Sequence, residues 1–180
     1  MMTRTPLTIA LAFTATAALA ACSTVGDLPS ERVAEARLTF ANGVPAGTAQ
    51  LVSNGQTLTL AVLATGLEPG EHGFHLHTTG KCEAPGFTSA GGHLNPGGNE
   101  HGSLNPQGKH LGDLPNLVVG ASRSASADVD LGADTAALRE QLFDADGTAI
   151  VIHAGADDYL SDPAGDAGSR VACGVLTQTR

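Results

Sequence analysis

RLTFANGVPAGTAQLVSNGQTLTLAVLA, residues 37–64, holds three short runs of alternating apolar and polar residues separated by Asn-Gly turns. Alternation with a period of two is typical of strands that bury one face in a core. Asn-Gly between two such runs is the strongest short-range signal of a β-hairpin. The stretch therefore predicts three antiparallel strands joined by tight turns.

Similar short runs continue along the chain, at residues 73–77, 116–121, 126–131, 148–153 and 170–176. About eight short strands with turn signals between them predict an all-β sandwich or barrel. Two segments, 79–114 and 154–170, lack strand character, and loops of that length are usually functional or disordered. The stretch 133–143, ADTAALREQLF, predicts either a helical turn or a loop.

Composition limits the interior and the partners of the chain. The 180 residues suit one domain, and because Trp is absent and aromatic residues make up only 3%, we expect a core of Val, Leu, Ile and Ala. The formal net charge of −9 argues against nucleic acid as a partner and against electrostatic attachment to anionic lipid.

The N-terminus has the pattern of an export signal. Residues 1–21 carry one early cation, Arg4, and then an uncharged apolar run that ends in small residues. The end of this run, Leu19-Ala20-Ala21-Cys22, resembles a bacterial lipobox, in which the cysteine is lipidated and anchors the protein to a membrane. An ordinary cleaved signal followed by an unrelated cysteine is the alternative, and a transmembrane anchor is disfavoured because the run is short.

These features predict an exported protein of the bacterial cell envelope or periplasm. The predicted domains are a signal peptide at 1–21, a lipidated N-terminus and tether at 22–33, and a β domain at 34–180. In an oxidising compartment the two remaining cysteines, Cys82 and Cys173, form an even pair, and we expect one disulfide between them.

The histidines are concentrated in a few places. His75 and His77 are two residues apart on a predicted strand and therefore point to the same face, while His153 ends another strand. The first long segment without strand character holds four further potential ligands: His93, His101, His110 and Asp113. Each histidine alone is more simply explained as a solvated or hydrogen-bonded residue. Together they favour a copper or zinc site over calcium or magnesium.

Six sequence motifs resemble those of the copper/zinc superoxide dismutases, in the order of that family. They are GFHLH, AGGHLNP, HG at 101, KHLGDLPN, IVIHAGADD and GSRVACGVL, and the resemblance covers about residues 34–178. It implies an eight-stranded Greek-key β-barrel with two long functional loops. It also implies the dismutation of superoxide to oxygen and hydrogen peroxide by copper that alternates between Cu(II) and Cu(I).

The resemblance also implies a role for each matching residue. The implied copper ligands are His75, His77, His93 and His153, and the implied zinc ligands are His93, His101, His110 and Asp113. His93 would bridge the metals as an imidazolate and deliver a proton, and Arg170 would hold the superoxide anion. Asp157 would accept hydrogen bonds from His75 and His101, Cys82 and Cys173 would form the family's disulfide, and His72 would pack loops against the barrel.

The chain departs from the family pattern between His153 and Arg170, where the segment is short and contains no lysine. Ala164 falls where a Thr or Ser often lines the channel. We therefore hypothesise that Lys81 or Lys109 guides the anion instead.

Two other functions use the same motifs. A copper and zinc buffer would need the ligands but not Arg170, and a purely structural relative would be expected to have lost ligands. The resemblance leaves a monomer and a homodimer equally open.

Overall fold

The computed structural model describes residues 30–179, so the predicted signal peptide and Cys22 lie outside the described residues. Within that range the chain forms ten strand segments, one α-helix and a 3-10 turn at Thr88–Ala90. The elements are β1 (Glu31–Phe40), β2 (Pro45–Ser53), β3 (Thr57–Thr65), β4 (Gly70–His72), β5 (Phe74–His77), β6 (Leu117–Val119), β7 (Ser124–Ala133), α1 (Ala136–Leu142), β8 (Ala149–His153), β9 (Arg170–Val175) and β10 (Thr177–Gln178).

The strands are antiparallel and form a curled sheet in the order β5-β8-β9-β1-β2-β3-β7, with β10 beside β1. β4 pairs with β6 in a separate two-stranded sheet, and one residue, Gly73, separates β4 from β5 along the chain. The non-consecutive neighbours β1–β9, β3–β7 and β5–β8 are Greek-key connections. The predicted eight-stranded Greek-key barrel is therefore confirmed.

The barrel core is aliphatic, as the composition predicts. On β3 the side chains of Leu58, Leu60, Val62 and Ala64 are all buried, which is the alternation seen in the sequence. Full burial of a Leu or Ile side chain contributes roughly 1.5–3 kcal/mol, and residues of this kind on every long strand form one cluster.

Two boundaries differ in detail from the sequence predictions. β1 begins at Glu31, before residue 34, because Val33 and Ala34 already pack into the core across an irregular pairing with β2. The segment 133–143 contains a true helix, α1, whose first turn is capped by Thr135 Oγ1 accepting a hydrogen bond from the Leu138 N–H at 3.1 Å. Residues 30–179 contain no helix with the length and hydropathy needed to cross a bilayer.

Two long loops, residues 78–116 and 154–169, cover the outside of the barrel beside β5 and β8. Every residue of both strands is consequently buried, on the outer face as well as in the core. Phe87 and Ala90 of the first loop pack on Val151 and Cys173 in a small apolar cluster of their own. The covered outer face is where the predicted ligands lie.

Candidate metal centre

Four histidines converge on the outer face of the barrel. His75 and His77 point outward from β5, and His153 is the last residue of β8. The first long loop returns to β5, where His93 pairs with His77 through an isolated β-bridge. One ring nitrogen from each of these four buried residues lies within 4.8 Å of the other three.

A second cluster shares His93. The Nδ1 atoms of His93, His101 and His110 lie 2.8, 3.0 and 3.1 Å from a single atom, Oδ1 of Asp113. The other carboxylate oxygen, Oδ2, accepts hydrogen bonds from the backbone N–H of Gly102 at 2.8 Å and of His110 at 3.0 Å. The carboxylate is therefore held so that Oδ1 faces the three rings.

Backbone carbonyls determine which nitrogen faces the first cluster. Nδ1 of His77 lies 3.0 Å from the carbonyl oxygen of Gly91, and Nδ1 of His153 lies 3.1 Å from that of Gly168. A carbonyl oxygen can only accept, so each Nδ1 carries the proton and each Nε2 presents a lone pair. This is the state in which histidine binds a metal.

Five buried ring nitrogens have no hydrogen bond among the described residues, although one of them, Nδ1 of His101, lies 3.0 Å from Oδ1 of Asp113 without hydrogen-bond geometry. They are Nδ1 of His75 and His101 and Nε2 of His77, His93 and His153. Buried polar atoms are normally paired, and lone pairs that face one another without a donor repel. Cations at the two clusters would satisfy these nitrogens, and a donor set of imidazoles with one carboxylate suits copper and zinc.

The charge states of these residues favour metal binding. Burial lowers the pKa of His77 to about 2, and burial likewise lowers the pKa values of His93 and His153 to about 4. Burial raises the pKa of the Asp113 carboxyl, but hydrogen bonds from His93, Gly102 and His110 outweigh it and hold this pKa well below its usual range. Near neutral pH the three histidines are therefore neutral and the carboxylate is ionised.

Asp157 connects the two clusters. Its Oδ2 lies 2.7 Å from Nε2 of His75, and its Oδ1 lies 3.0 Å from Nε2 of His101. Burial raises the pKa of this carboxyl, but the hydrogen bonds from the two rings outweigh it and lower the pKa to about 2. As an ionised acceptor Asp157 fixes the proton of each ring on Nε2, so Nδ1 of His75 faces the first cluster and Nδ1 of His101 the second.

Arg170 lies at the open side of the first cluster. Its guanidinium donates hydrogen bonds to the carbonyls of Phe87 at 2.8 Å and Gly91 at 2.7 Å. It lines a cleft of about 370 Å³ together with His93, His153 and Ala164. A small anion in this cleft would meet the guanidinium and the histidines together.

The structure does not place Lys109 in that cleft. Its Nζ donates to the backbone carbonyl of Asp113 at 3.1 Å, beside a separate small pocket lined by Tyr159 and Leu114. Lys81 is exposed, and among the residues that line the cleft the permanent cation is Arg170. The geometry therefore favours Arg170 over the lysines as the source of attraction.

The remaining predicted residues are found as follows. Cys82 and Cys173 form a disulfide with a Cα–Cα distance of 5.6 Å. The ring of His72 lies between the carbonyl oxygens of His153 and Glu68 and contributes no atom to either cluster. Sequence reasoning missed Asn116, which binds the backbone of Asp157, although the residue is part of the motif KHLGDLPN.

Comparison with known proteins agrees with this geometry. Residues 45–176 match the family model described as copper/zinc superoxide dismutase. The chain is 44% identical over 146 residues to superoxide dismutase [Cu-Zn] 2 of Aquifex aeolicus, covering 79% of this chain and 85% of the relative. It is 40% identical over 139 residues to the superoxide dismutase [Cu-Zn] of Caulobacter vibrioides, covering 75% and 80%.

A solved structure shows the same fold. The crystal structure of a SOD-like protein from Bacillus subtilis matches with a TM-score of 0.74 and 38% identity, over 79% of this chain and 97% of that one. The chain therefore belongs to the copper/zinc superoxide dismutase family, whose members are oxidoreductases that act on superoxide with copper and zinc as cofactors.

Proposed function

We propose that the chain dismutates superoxide to molecular oxygen and hydrogen peroxide at the bacterial cell envelope. The observation that carries the proposal is a set of four convergent ring nitrogens next to a partly buried guanidinium. They are Nδ1 of His75 and Nε2 of His77, His93 and His153, with Arg170 lining the same cleft. Neutral imidazoles suit a copper ion, and the guanidinium suits a small anionic substrate.

The proposed ligand sets follow the two clusters. Copper would be held by His75, His77, His93 and His153, and zinc would be held by His93, His101, His110 and Asp113. His93 belongs to both sets, with Nε2 in the first and Nδ1 in the second. Its ring would therefore be shared by the two metal sites.

Copper, when bound, would supply the one-electron redox chemistry between Cu(II) and Cu(I) that the dismutation of superoxide needs, and zinc, when bound, would supply a charge of constant oxidation state. Arg170 binds and orients the anion, because two of its N–H groups are fixed on carbonyls and the others remain for the substrate. Peroxide formation consumes two protons. We assign one of them to His93, which lines the cleft and whose Nε2 would first take up a proton from solvent while that nitrogen is not bound to copper.

Metal analysis combined with a superoxide assay tests the proposal. We expect one copper and one zinc per chain, and activity that requires copper. His77→Gln should abolish copper binding, whereas the matched variant His72→Gln should retain both metals, because the His72 ring contacts only carbonyl oxygens on its two nitrogens. Binding of zinc alone after copper loading would contradict the redox function.

The envelope location is part of the proposal. It is supported by the export signal at 1–21, the lipobox-like end at Cys22 and the disulfide between Cys82 and Cys173, which suits an oxidising compartment. A diacylated or triacylated N-terminus anchors stably where a single chain is marginal. Cys22→Ser should therefore move the protein from the membrane fraction to the soluble fraction or block its processing. Mass spectrometry that finds an unmodified N-terminus beyond residue 22 would refute the anchor.

A further inference from the structure

Asn116 joins the two long loops through three hydrogen bonds. Its Nδ2 donates to the carbonyl oxygen of Asp157 at 2.9 Å, and its Oδ1 accepts from the Asp157 N–H at 2.9 Å. Its own backbone N–H donates to the hydroxyl of Tyr159 at 2.7 Å. The amide thus holds the backbone of Asp157 on both sides, as a neighbouring strand would.

The side chain of Asp157 has little freedom once its backbone is held. Oδ2 lies against His75 and Oδ1 against His101, and Oδ1 also accepts the N–H of Tyr159 at 2.6 Å. Each oxygen therefore serves a different cluster. If the carboxylate rotated to follow a movement of one ring, it would lose its hydrogen bond to the other ring.

Asn116 is also close in sequence to the second cluster. It follows Asp113 by three residues, through the buried Leu114 and the conformationally restricted Pro115. When Asp113 is fixed by a bound ion, the short connection fixes Asn116 as well. Metal binding at the second cluster can therefore affect the orientation of the His75 ring through Asn116 and Asp157.

We infer that Asn116 is a positioning residue that couples the two metal sites, so that zinc binding orients Asp157 and prepares His75 for copper. The inference rests on the proposed ligand sets. The rival explanation is that Asn116 only ties the loops together and contributes to stability. The two explanations differ in whether the effect of Asn116 depends on the carboxylate of Asp157.

The test measures Cu(II) affinity by competition titration in the purified, metal-stripped protein, with and without saturating zinc. In the wild type we expect zinc to raise copper affinity by about tenfold or more, since partners that orient ligands typically change metal affinity 10–100-fold. In Asn116→Ala this gain should fall about tenfold. The visible absorption band of bound Cu(II), which reports ligand geometry, should shift on zinc addition in the wild type and remain unchanged in the variant.

A double-mutant cycle separates coupling from stability. Asp157→Ala removes the carboxylate but keeps the backbone groups that Asn116 binds, so any purely structural role of Asn116 survives in this background. In the Asp157→Ala background we expect Asn116→Ala to change the zinc-dependent increase in copper affinity less than twofold, although thermal stability still falls. Tyr159→Phe, which removes the acceptor of the Asn116 N–H, should give an intermediate loss.

The matched control is Asn54→Ala. Asn54 accepts the N–H groups of Gln56 and Thr57 in the turn between β2 and β3 and contacts neither cluster. It should lower stability without altering the zinc-dependent gain. An undiminished gain in Asn116→Ala, or equal effects with and without the Asp157 carboxylate, would overturn the inference and leave the ligand sets intact. Failure of the wild type to bind copper and zinc would overturn both.

Discussion

At the scale of single residues, four histidines use their two ring nitrogens for different purposes: His75, His77, His101 and His153. One nitrogen of each lies against an acceptor outside the ligand sets, such as the carbonyl of Gly91 for His77, and the other faces a cluster. Backbone acceptors do not titrate, so they fix the tautomer at any pH at which the fold survives. The positions of Gly91 and Gly168 therefore matter through their carbonyls rather than through any side chain.

Arg170→Ala should separate metal binding from catalysis. We expect the variant to retain one copper and one zinc, because the guanidinium bonds only to carbonyls in the protein. Loss of a charge-assisted hydrogen bond to the substrate should lower kcat/KM roughly 10- to 100-fold. The kcat/KM of Arg170→Lys should lie between those of the wild type and Arg170→Ala, since an ammonium keeps the positive charge but not the paired N–H donors of a guanidinium. Wild-type kcat/KM in fully metallated Arg170→Ala would indicate that the cleft does not use this residue.

At the scale of elements, strands could be predicted from sequence more reliably than the path of the loops. The period-two runs of β2 and β3 predict the antiparallel strands, and the resemblance to the dismutase family implies the members of the second cluster. The helix α1 is too short for its periodicity to decide between helix and loop. The role of Asn116 depends on contacts between segments far apart in sequence, which no local pattern reports.

Gly165 shows how closely the second loop fits the site. Its φ is +65°, and an added Cβ would lie 1.8 Å from Oδ1 of Asp157 and 2.7 Å from Nε2 of His101. We expect Gly165→Ala to displace both side chains and to weaken zinc binding roughly 10- to 100-fold in competition titrations. Gly98→Ala is the control, because its φ is +64° but its Cβ would meet nothing within 4 Å. Equal zinc affinities in the two variants would contradict the conclusion that the second loop packs too closely against Asp157 and His101 to admit a Cβ at residue 165.

The start of α1 is held by an ion pair that responds to acid. Arg139 donates to both carboxylate oxygens of Asp134, at 2.6 and 2.7 Å, and Ser53 Oγ donates to the same group. The hydrogen bonds from Arg139 lower the pKa of Asp134 to about 2. Because the folded pKa lies below the unfolded one, this stabilisation is complete above about pH 4 and is lost as pH falls towards 2.

Asp134→Asn should therefore lower the melting temperature at neutral pH. The same substitution should also flatten the loss of stability between about pH 4 and 2, measured by thermal unfolding followed with circular dichroism. Asp128→Asn, on β7 without such an ion pair among the described contacts, provides the comparison. A neutral-pH melting temperature equal to that of the wild type would show that the pair does not stabilise the helix.

At the scale of the whole molecule, an acidic protein must attract an anion. The formal net charge of −9 repels superoxide at long range, so the attraction has to be local to the cleft. Arg170 and the proposed metals provide it, whereas the ammonium of Lys109 is bonded to the carbonyl of Asp113. Among the residues that line the cleft, the permanent positive charge is thus that of Arg170.

Turnover should consequently fall as salt is added, because screening acts over about 8–10 Å at physiological ionic strength. Neutralising Lys81 and Lys109 together should leave most of this salt dependence, whereas Arg170→Ala should lower the rate at every salt concentration. Stopped-flow measurement of superoxide decay over a range of ionic strength distinguishes attraction by the two lysines from attraction by Arg170. If the double lysine variant loses the salt dependence, the lysines guide the anion after all.

The direction of β1 sets the distance between the N-terminal end of the barrel and the cleft. The strand enters the barrel at Glu31 and ends at Phe40, which pairs with Ala172, two residues from Arg170. Ten residues at about 3.3 Å each separate the entry point from the mouth of the cleft by roughly 30 Å. If Cys22 carries lipid as proposed, the anchored chain would enter the barrel at the end remote from the cleft, so that peroxide would be formed away from the point where the tether joins the barrel.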